Sequence, residues 1–317
     1  MKFESLVSVI IPAYKVENYI EECLDSVITQ SYTNLEVLCV EDCGLDKSAE
    51  IIECYCSKDS RIQLVKNQSN LGVAKSRNKG IRMAKGEYIY CLDPDDYLSS
   101  KTIEVMLQSA KEESSDVVVS RTELTVDEGV AEERIKSTEE YINGFEFPTK
   151  ATIVSRRRFA HYVDKVPCVV WNKLFRADFL RENEILFVNQ NVIHEDEGFH
   201  VKVLANEPRI SFLDYVGYYH RLRASSYMQF ALENRQNLIR NLKTSLDDAI
   251  AYLERHNKHK YVRLVKSRYW YSQCYLKEKD FKYYSRFVRK YVFKVLPTSK
   301  FDQKVEKLEL QLKAYKK

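Results

Sequence analysis

The first 120 residues alternate short apolar runs with longer amphipathic stretches. Val7–Pro12 and Leu35–Val40 are mostly apolar and rich in β-branched residues, which is typical of buried strands. Glu17–Gln30 between them carries apolar residues at helical spacing. The alternation continues and predicts helices at Lys47–Cys56, Val73–Ala84 and Ser99–Ala110, and strands at Ile62–Val65, Tyr88–Leu92 and Asp116–Ser120. Strand–helix alternation with short links predicts an α/β fold with a mostly parallel sheet.

The remainder of the chain has a different pattern. Residues 122–150 are acidic and weakly patterned, which predicts an exposed insertion, and residues 151–226 mix short elements with a polar cluster. From residue 228 the pattern is helical, with an apolar stripe formed by Leu238, Ile239, Leu242, Leu246, Ile250 and Leu253. We therefore expect a main domain over residues 1–226, with halves at about 1–121 and 150–226, and a C-terminal helical extension over residues 227–317.

Charge is distributed unevenly along the chain. Residues 228–317 hold 22 Lys and Arg against nine Asp and Glu, a net charge of about +13, whereas the whole chain carries +4. Such a basic tail favours an anionic partner, either a phospholipid surface or a lipid-linked phosphate. The alternative is a solvated helical bundle that packs on the main domain or forms a homodimer. Because no recognised nucleic-acid-binding module is present, we expect no nucleic-acid partner.

Location follows from the apolar runs and the cysteines. No apolar run approaches the roughly 18 residues of a membrane span, and the early run at Leu6–Ile11 is stopped by Pro12. Eight cysteines are spread through the chain in a pattern that suits reduced thiols. We therefore expect a cytoplasmic protein, with the basic tail as the means of peripheral attachment to the inner face of the bacterial cytoplasmic membrane.

The main candidate for chemistry is Asp93-Pro94-Asp95-Asp96, directly after the predicted strand Tyr88–Leu92. In parallel sheets, ligands bind at the carboxyl ends of the strands. Three carboxylates at a buried strand end repel one another, which favours a cation, and hard oxygen ligands suit Mg²⁺ or Mn²⁺. The alternative is that Asp95 or Asp96 caps the following helix.

Two further polar groups follow other strands. Glu41-Asp42 ends the second strand, where a carboxylate can accept hydrogen bonds from a nucleobase or ribose; capping the next helix is the alternative. Arg77 follows the turn at Gly72 and could hold a carboxylate cluster and contact phosphate, or it could be a surface arginine.

The second half of the main domain contributes two more clusters. His194-Glu195-Asp196-Glu197 could supply a general base for an acceptor hydroxyl, or it could be a solvated turn or helix start. In Tyr218–Arg223, His220 could complete a metal shell, and Arg221 and Arg223 could hold a leaving diphosphate. A strand edge followed by a basic loop is the alternative for this segment.

In their order and spacing, these motifs resemble the inverting glycosyltransferases of family 2, which have the GT-A fold, a Rossmann-like fold of nucleotide-diphospho-sugar transferases. The resemblance covers about residues 5–226. It rests on the following segments: Val9–Tyr14, Glu41-Asp42, Asn70–Gly72, Arg77–Gly80, Gly86–Ile89, Asp93–Asp96, Trp171–Phe175, Glu195–Glu197 and Tyr218–Ser226.

The resemblance implies a role for each site residue. Asp93-Pro94-Asp95-Asp96 matches the DxD motif of the family, so Asp95 would bind Mn²⁺ or Mg²⁺, with His220 as a further ligand. Asp196 would be the catalytic base. The donor would contact Pro12, Tyr14, Glu41, Asp42, Arg77, Asp93, Arg221 and Arg223. Trp171 and Glu195 would contact the acceptor, and the alternative for Trp171 is core packing.

The resemblance also implies the reaction. The donor would be a UDP-hexose or UDP-N-acetylhexosamine, and the acceptor a glycan or lipid-linked glycan of lipopolysaccharide, capsule or exopolysaccharide. Two positions depart from the family pattern: Lys15 replaces the usual Asn, and Glu41-Asp42-Cys43-Gly44 replaces Asp-Asp-Gly-Ser.

Two other classes of function fit part of the sequence. A nucleotide-sugar-binding protein without transferase activity would share residues 7–96, but it would not require the acidic run at Glu195–Glu197. A phosphoacceptor signalling domain would leave the DxD run unexplained.

Overall fold

The computed structural model describes residues 5–224 and 235–266. The described residues up to Val262 belong to one compact unit, and a second unit begins at Arg263. Within the described residues, nine strands form a single sheet in the order β3-β2-β1-β4-β8-β6-β9-β5, and β7 pairs with β9 off this path.

Strands and helices alternate through most of the described chain. The strands are β1 (Val7–Ala13), β2 (Leu35–Glu41), β3 (Ile62–Lys66), β4 (Tyr88–Cys91), β5 (Tyr97–Leu98), β6 (Val117–Val126), β7 (Thr152–Ile153), β8 (Lys173–Arg176) and β9 (Arg209–Leu222). The helices are α1 (Ile20–Ile28), α2 (Ser48–Lys58), α3 (Val73–Met83), α4 (Thr102–Glu112), α5 (Glu132–Asn143), α6 (Arg156–Lys165), α7 (Ala177–Glu182), α8 (Glu195–Ala205) and α9 (Arg235–Arg255).

Both faces of strand β1 are buried, which explains its continuous apolar sequence. Val9 and Ile11 belong to the core that also contains the inner faces of α1 and α4. Ile10 faces the other side, where a Cβ added at Gly80 of α3 would lie 2.4 Å from its side chain. Gly80 therefore allows α3 to pack closely on the sheet.

The predicted elements of the first 120 residues are all present. The mixed α/β fold with a largely parallel sheet is confirmed, since β1 pairs in parallel with β2 and β4, and β2 with β3. Residues 122–150, which we expect to be an exposed insertion, are mostly exposed or partly exposed, but they contain regular structure. Strand β6 continues to Val126 because it pairs with β9 along its whole length, and α5 follows with only Ile142 buried.

Strand β9 brings the second half of the chain to the aspartate run. It lies parallel to β6, with bulges around Arg121, and its far end pairs antiparallel with β5 through Tyr219 and Tyr218. Since β5 directly follows Asp96, this pairing places the end of β9 beside Asp93–Asp96.

Helix α9 supports the start of helix α8. The Ser245 hydroxyl of α9 donates to the backbone carbonyl of Glu195 at 3.3 Å and accepts from the backbone N–H of Gly198 at 3.0 Å. A Cβ at Gly198 would meet the Ser245 carbonyl at 2.3 Å, so this crossing needs glycine.

The domain boundary near residue 226 stays a prediction, and most of the basic tail lies outside the described residues. In the described part of the chain, no helix is long and apolar enough to cross a membrane.

Candidate active site

A buried arginine joins three carboxylates at the carboxyl edge of the sheet. Arg77 on α3 is only 3% exposed. Its guanidinium donates to Asp93 Oδ1 at 2.6 Å, to Glu195 Oε1 at 2.5 Å and to Asp196 Oδ1 at 3.2 Å. Four of the predicted site residues, from three different segments, are thus brought together. The alternative of a surface arginine at position 77 is excluded.

The electrostatics of this cluster favour a proton on one carboxylate. One guanidinium charge faces three acidic groups, so the charges do not balance. Burial, followed by the charge of Glu195, raises the pKa of Asp196 well above its ordinary value, although Arg77 opposes the shift. A raised pKa makes the ionised carboxylate a stronger proton acceptor, which suits a general base.

Glu195 and Asp196 also begin a helix. They lie in the first turn of α8, so the expected helix start and the expected reactive cluster are the same feature. His194, just before the helix, has the left-handed backbone conformation with φ of 63°. Acidic side chains in a first helical turn are favoured by the helix dipole.

A second cluster forms around Asp96, which is buried. Its carboxylate accepts from the Tyr218 hydroxyl at 2.5 Å and from the Arg221 backbone N–H at 2.7 Å, and it lies 3.0 Å from His220 Nδ1. Asp96 therefore holds the end of strand β9. It does not cap α4, which begins at Thr102.

Sequence reasoning gave Asp96 and Tyr218 no place among the site residues. The two residues bind each other although they lie more than 120 residues apart in the chain, and no local pattern reveals such a pairing. The one available signal was the third carboxylate of the run, which had no predicted ligand.

Asp95 and Arg223 form an ion pair at 2.6 Å in the same cluster. Burial and the charge of Asp96 raise the pKa of Asp95 to about 7, and Arg223 opposes this shift. For His220, burial alone would lower the pKa, but the charge of Asp96 and its hydrogen bond raise it, and the net direction is upward. The charges of Asp93 and Asp96 contribute to both upward shifts, and a bound cation would stabilise the ionised form of Asp95.

Arg221 and Arg223 are held differently. The Arg221 guanidinium donates to the Asp95 backbone carbonyl at 3.1 Å, to Asp127 at 3.2 Å and to Glu22 at 2.5 Å. Arg223 has the ion pair with Asp95 and packs over the ring of Tyr19. All three nitrogens of the Arg221 guanidinium thus donate to protein acceptors. Arg223 is therefore the arginine better able to bind a ligand.

The predicted nucleoside end lies at the tips of β1 and β2. Pro12 pairs in register with Val40, and Tyr14 follows β1 with 43% of its surface exposed. The backbone is left-handed at Lys15, Cys43 and Leu45, with φ between 53° and 58°. Non-glycine residues in this conformation are strained and concentrate at functional sites.

Glu41 and Asp42 do not cap helix α2. Glu41 accepts from the Gly44 backbone N–H at 2.6 Å. Asp42 is buried and accepts from the backbone N–H groups of Leu71 at 2.8 Å and Gly72 at 2.7 Å, and from the Asn67 side chain at 2.7 Å. Asp42 therefore fixes the loop that leads into α3, the helix that carries Arg77.

We expect the substitution Asp42→Ala to lower the free energy of unfolding by about 2–3 kcal/mol, because the buried backbone N–H of Gly72 and the partly buried N–H of Leu71 lose their acceptor. Urea unfolding would measure this loss. Glu50→Ala, an exposed change in the first turn of α2, is the control and should leave the value nearly unchanged. Equal stability of the two variants would mean that water replaces the Asp42 carboxylate.

Trp171 packs against two residues of the Asp96 cluster. It is 5% exposed and stacks on Tyr218, with ring centroids 4.4 Å apart, and on His220, at 5.0 Å. Core packing thus describes most of its surface, and its predicted contact with an acceptor stays a prediction.

Lys173 was missed by the sequence reasoning. It is buried, and its ammonium donates to the carbonyl of Pro167 at 2.9 Å, to that of Val169 and to the Asn172 side chain at 2.8 Å. Burial lowers the pKa of Lys173 to about 8. Its contacts fix the loop that carries Trp171.

Comparison with known proteins identifies the family. Residues 8–181, more than half of the chain, match the Glycosyl transferase family 2 domain. The chain belongs to this family. Its mixed α/β fold is the GT-A fold.

Individual family 2 relatives agree with this assignment. The chain is 30% identical over 221 residues to the uncharacterized glycosyltransferase EpsJ of Bacillus subtilis strain 168, a match that covers 70% of this chain and 62% of EpsJ. It is 30% identical over 223 residues to poly(ribitol-phosphate) beta-N-acetylglucosaminyltransferase TarS of Staphylococcus aureus strain MW2, covering 69% of this chain and 35% of TarS. The chain thus spans less than two thirds of both relatives.

A solved structure shows the same architecture. The crystal structure of S. aureus TarS residues 1–349 in complex with UDP-GlcNAc superposes with a TM-score of 0.58 and 27% sequence identity. The superposition covers 80% of this chain and 72% of that chain.

Proposed function

We propose that this family 2 enzyme transfers a hexose or N-acetylhexosamine from a UDP-sugar to a hydroxyl group of a glycan acceptor, with inversion of configuration. The observation that carries the proposal is the Arg77 cluster. It ties Asp196, the candidate base, to Asp93, which follows strand β4 where the donor is expected. The UDP-GlcNAc complex of TarS supports a UDP-sugar as the donor.

Each step of the reaction has a candidate group in this chain. Asp196 accepts the proton of the acceptor hydroxyl, whose oxygen attacks the anomeric carbon from the face opposite the diphosphate. A single displacement inverts that carbon without a covalent enzyme intermediate. Arg77 holds Asp93 and Asp196 in place, and Arg223, with Arg221 behind it, faces the leaving diphosphate.

A divalent cation fits the second cluster. In the described part of the chain, no group of three or more His, Cys, Asp and Glu is arranged to hold a metal ion. Mg²⁺ and Mn²⁺ are commonly held by one or two carboxylates together with substrate phosphates, so a smaller protein set can serve. Asp95 would be the carboxylate ligand. His220 would use Nε2, because Asp96 binds its Nδ1, an arrangement common in carboxylate–histidine–metal sites.

When bound, Mn²⁺ or Mg²⁺ would offset the negative charge of the diphosphate as the sugar–phosphate bond breaks. The observation that supports a cation there is the pairing of the Asp95 carboxylate, which is only 18% exposed, with the cationic guanidinium of Arg223 at 2.6 Å.

For the acceptor we propose a glycan or lipid-linked glycan of the cell surface. TarS is named for a poly(ribitol-phosphate) acceptor, and this supports a cell-surface polymer as the substrate class. We keep lipopolysaccharide, capsule or exopolysaccharide synthesis as the pathway class. A cytoplasmic enzyme, with peripheral membrane attachment through the basic tail, and a homodimer stay predictions.

The proposed function is tested by UDP release from a panel of UDP-sugars with Mn²⁺ or Mg²⁺ and glycan acceptors. We expect metal-dependent release from one donor, and its loss in Asp95→Ala and Asp196→Asn. Asp178→Asn, an exposed carboxylate in the first turn of α7, should retain activity. UDP binding without turnover across a broad acceptor set would favour a nucleotide-sugar-binding protein.

The pH dependence tests the identity of the base. Asp196 must be ionised to accept a proton, so kcat/KM should rise with pH through the pKa of Asp196. The charge of Glu195 raises that pKa. Glu195→Gln removes the charge, so the rise in kcat/KM should move to lower pH than in the wild type. A rise that stays in place or moves to higher pH would contradict the assignment of Asp196.

A further inference from the structure

Arg223 forms an ion pair with Asp95, the carboxylate that would bind the metal ion in the proposed site. Its guanidinium lies 2.6 Å from Asp95 Oδ2, and both side chains are about four-fifths buried, with exposed fractions of 22% and 18%. On its other side it packs over the Tyr19 ring, 4.9 Å from the centroid. A contact of this length between partly buried groups is stronger than a pair at the open surface.

The hydrogen bonding of Arg223 is incomplete in this position. Its Nε is buried and has no hydrogen-bond partner among the described residues. A buried N–H group without an acceptor costs free energy, so the position on Asp95 does not satisfy the whole guanidinium. Phosphate oxygens match the planar fork of arginine and can accept from Nε and a terminal nitrogen together.

The neighbouring arginine lacks this freedom. Arg221 is fixed by Glu22, Asp127 and the Asp95 backbone carbonyl, whereas Arg223 has one carboxylate partner within the part of the chain that the structure describes. A diphosphate beside the cluster would therefore offer Arg223 a better set of acceptors than Asp95 does. It would offer Arg221 little that the protein does not already supply.

We propose that Arg223 is the resident counter-cation of Asp95 and that it makes divalent-metal binding depend on the nucleotide. Without nucleotide, the guanidinium and the metal ion compete for the Asp95 carboxylate. The diphosphate draws Arg223 away and leaves Asp95 to the metal ion, so nucleotide and metal bind cooperatively. This inference rests on the proposed function, in which Asp95 is a metal ligand.

The test measures Mn²⁺ binding to the full chain by the electron paramagnetic resonance signal of free Mn²⁺, with no UDP and with saturating UDP. In Arg223→Gln, Mn²⁺ should bind about tenfold more tightly without UDP than in the wild type, a change of about 1.4 kcal/mol. The factor by which UDP tightens Mn²⁺ binding should fall by a similar amount. Arg223→Lys keeps a cation and should bind Mn²⁺ without UDP much as the wild type does.

Two further variants separate the possible results. Arg209→Gln, at the opposite end of β9, is the matched control and should leave both Mn²⁺ affinities unchanged. If Asp95→Asn removes Mn²⁺ binding but Arg223→Gln matches the wild type, the counter-cation inference alone is overturned. If Asp95→Asn binds Mn²⁺ as the wild type does, the proposed metal site fails as well.

Discussion

Replacement of Arg77 by methionine is expected to lower the free energy of unfolding by about 3–5 kcal/mol at neutral pH and to abolish sugar transfer. Methionine fills much of the arginine volume but leaves Asp93, Glu195 and Asp196 without their shared cation. Urea unfolding measures the stability, and UDP release measures the activity.

The loss of stability should depend on pH with a defined sign. Arg77 opposes the upward shift of the Asp196 pKa, so without Arg77 that pKa in the folded protein would rise further above its value in the unfolded chain. A carboxyl group with a raised folded pKa costs stability as pH increases through the interval between the two values. Arg77→Met should therefore be closest to the wild type at acidic pH and furthest from it at neutral pH and above.

A control on the same helix separates this effect from a general loss of helix stability. Arg82 lies on the exposed face of α3, and Arg82→Met should change the free energy of unfolding by less than about 0.5 kcal/mol. If the two variants were equally stable, the Arg77 cluster would not carry the energy that its burial indicates.

The elements that could be predicted from sequence are those with a local signal. Strand β1 is apolar on both faces and α1 has a clear stripe, so both were found within a few residues. Strand β8 was not found, because four residues carry no measurable period. Its place is set by antiparallel pairing with β4 and β6, which lie far away in the sequence.

The site divides in the same way. Three carboxylates at one strand end were enough to predict a polar cluster there. The separate roles of the three aspartates could not be predicted, because Asp96 binds the end of strand β9 and Asp95 forms an ion pair with Arg223. Arg77 could be a surface residue by local pattern alone, because its partners Glu195 and Asp196 lie more than 100 residues further along the chain.

Substitution of Asp196 by asparagine is expected to separate activity from stability, in contrast to Arg77→Met. Asparagine has nearly the shape of the aspartate but cannot accept a proton. The rate should fall by about 10²–10⁴, the usual contribution of a general base. Single-turnover measurements with saturating donor and acceptor would show the loss in the chemical step.

The stability of Asp196→Asn should be equal to or greater than that of the wild type. The folded pKa of Asp196 is raised above its ordinary value, so its ionised form is disfavoured in the folded state. The resulting destabilisation of the folded state is absent below the ordinary pKa of the group, and it grows as pH rises through the folded pKa. Asparagine removes this cost, so the free energy of unfolding of Asp196→Asn, measured with urea, should exceed that of the wild type by more as pH rises. Arg77 keeps Asp93 and Glu195 as partners in this variant. A variant that is inactive but also clearly less stable would identify Asp196 as a structural partner of Arg77 and not as the base.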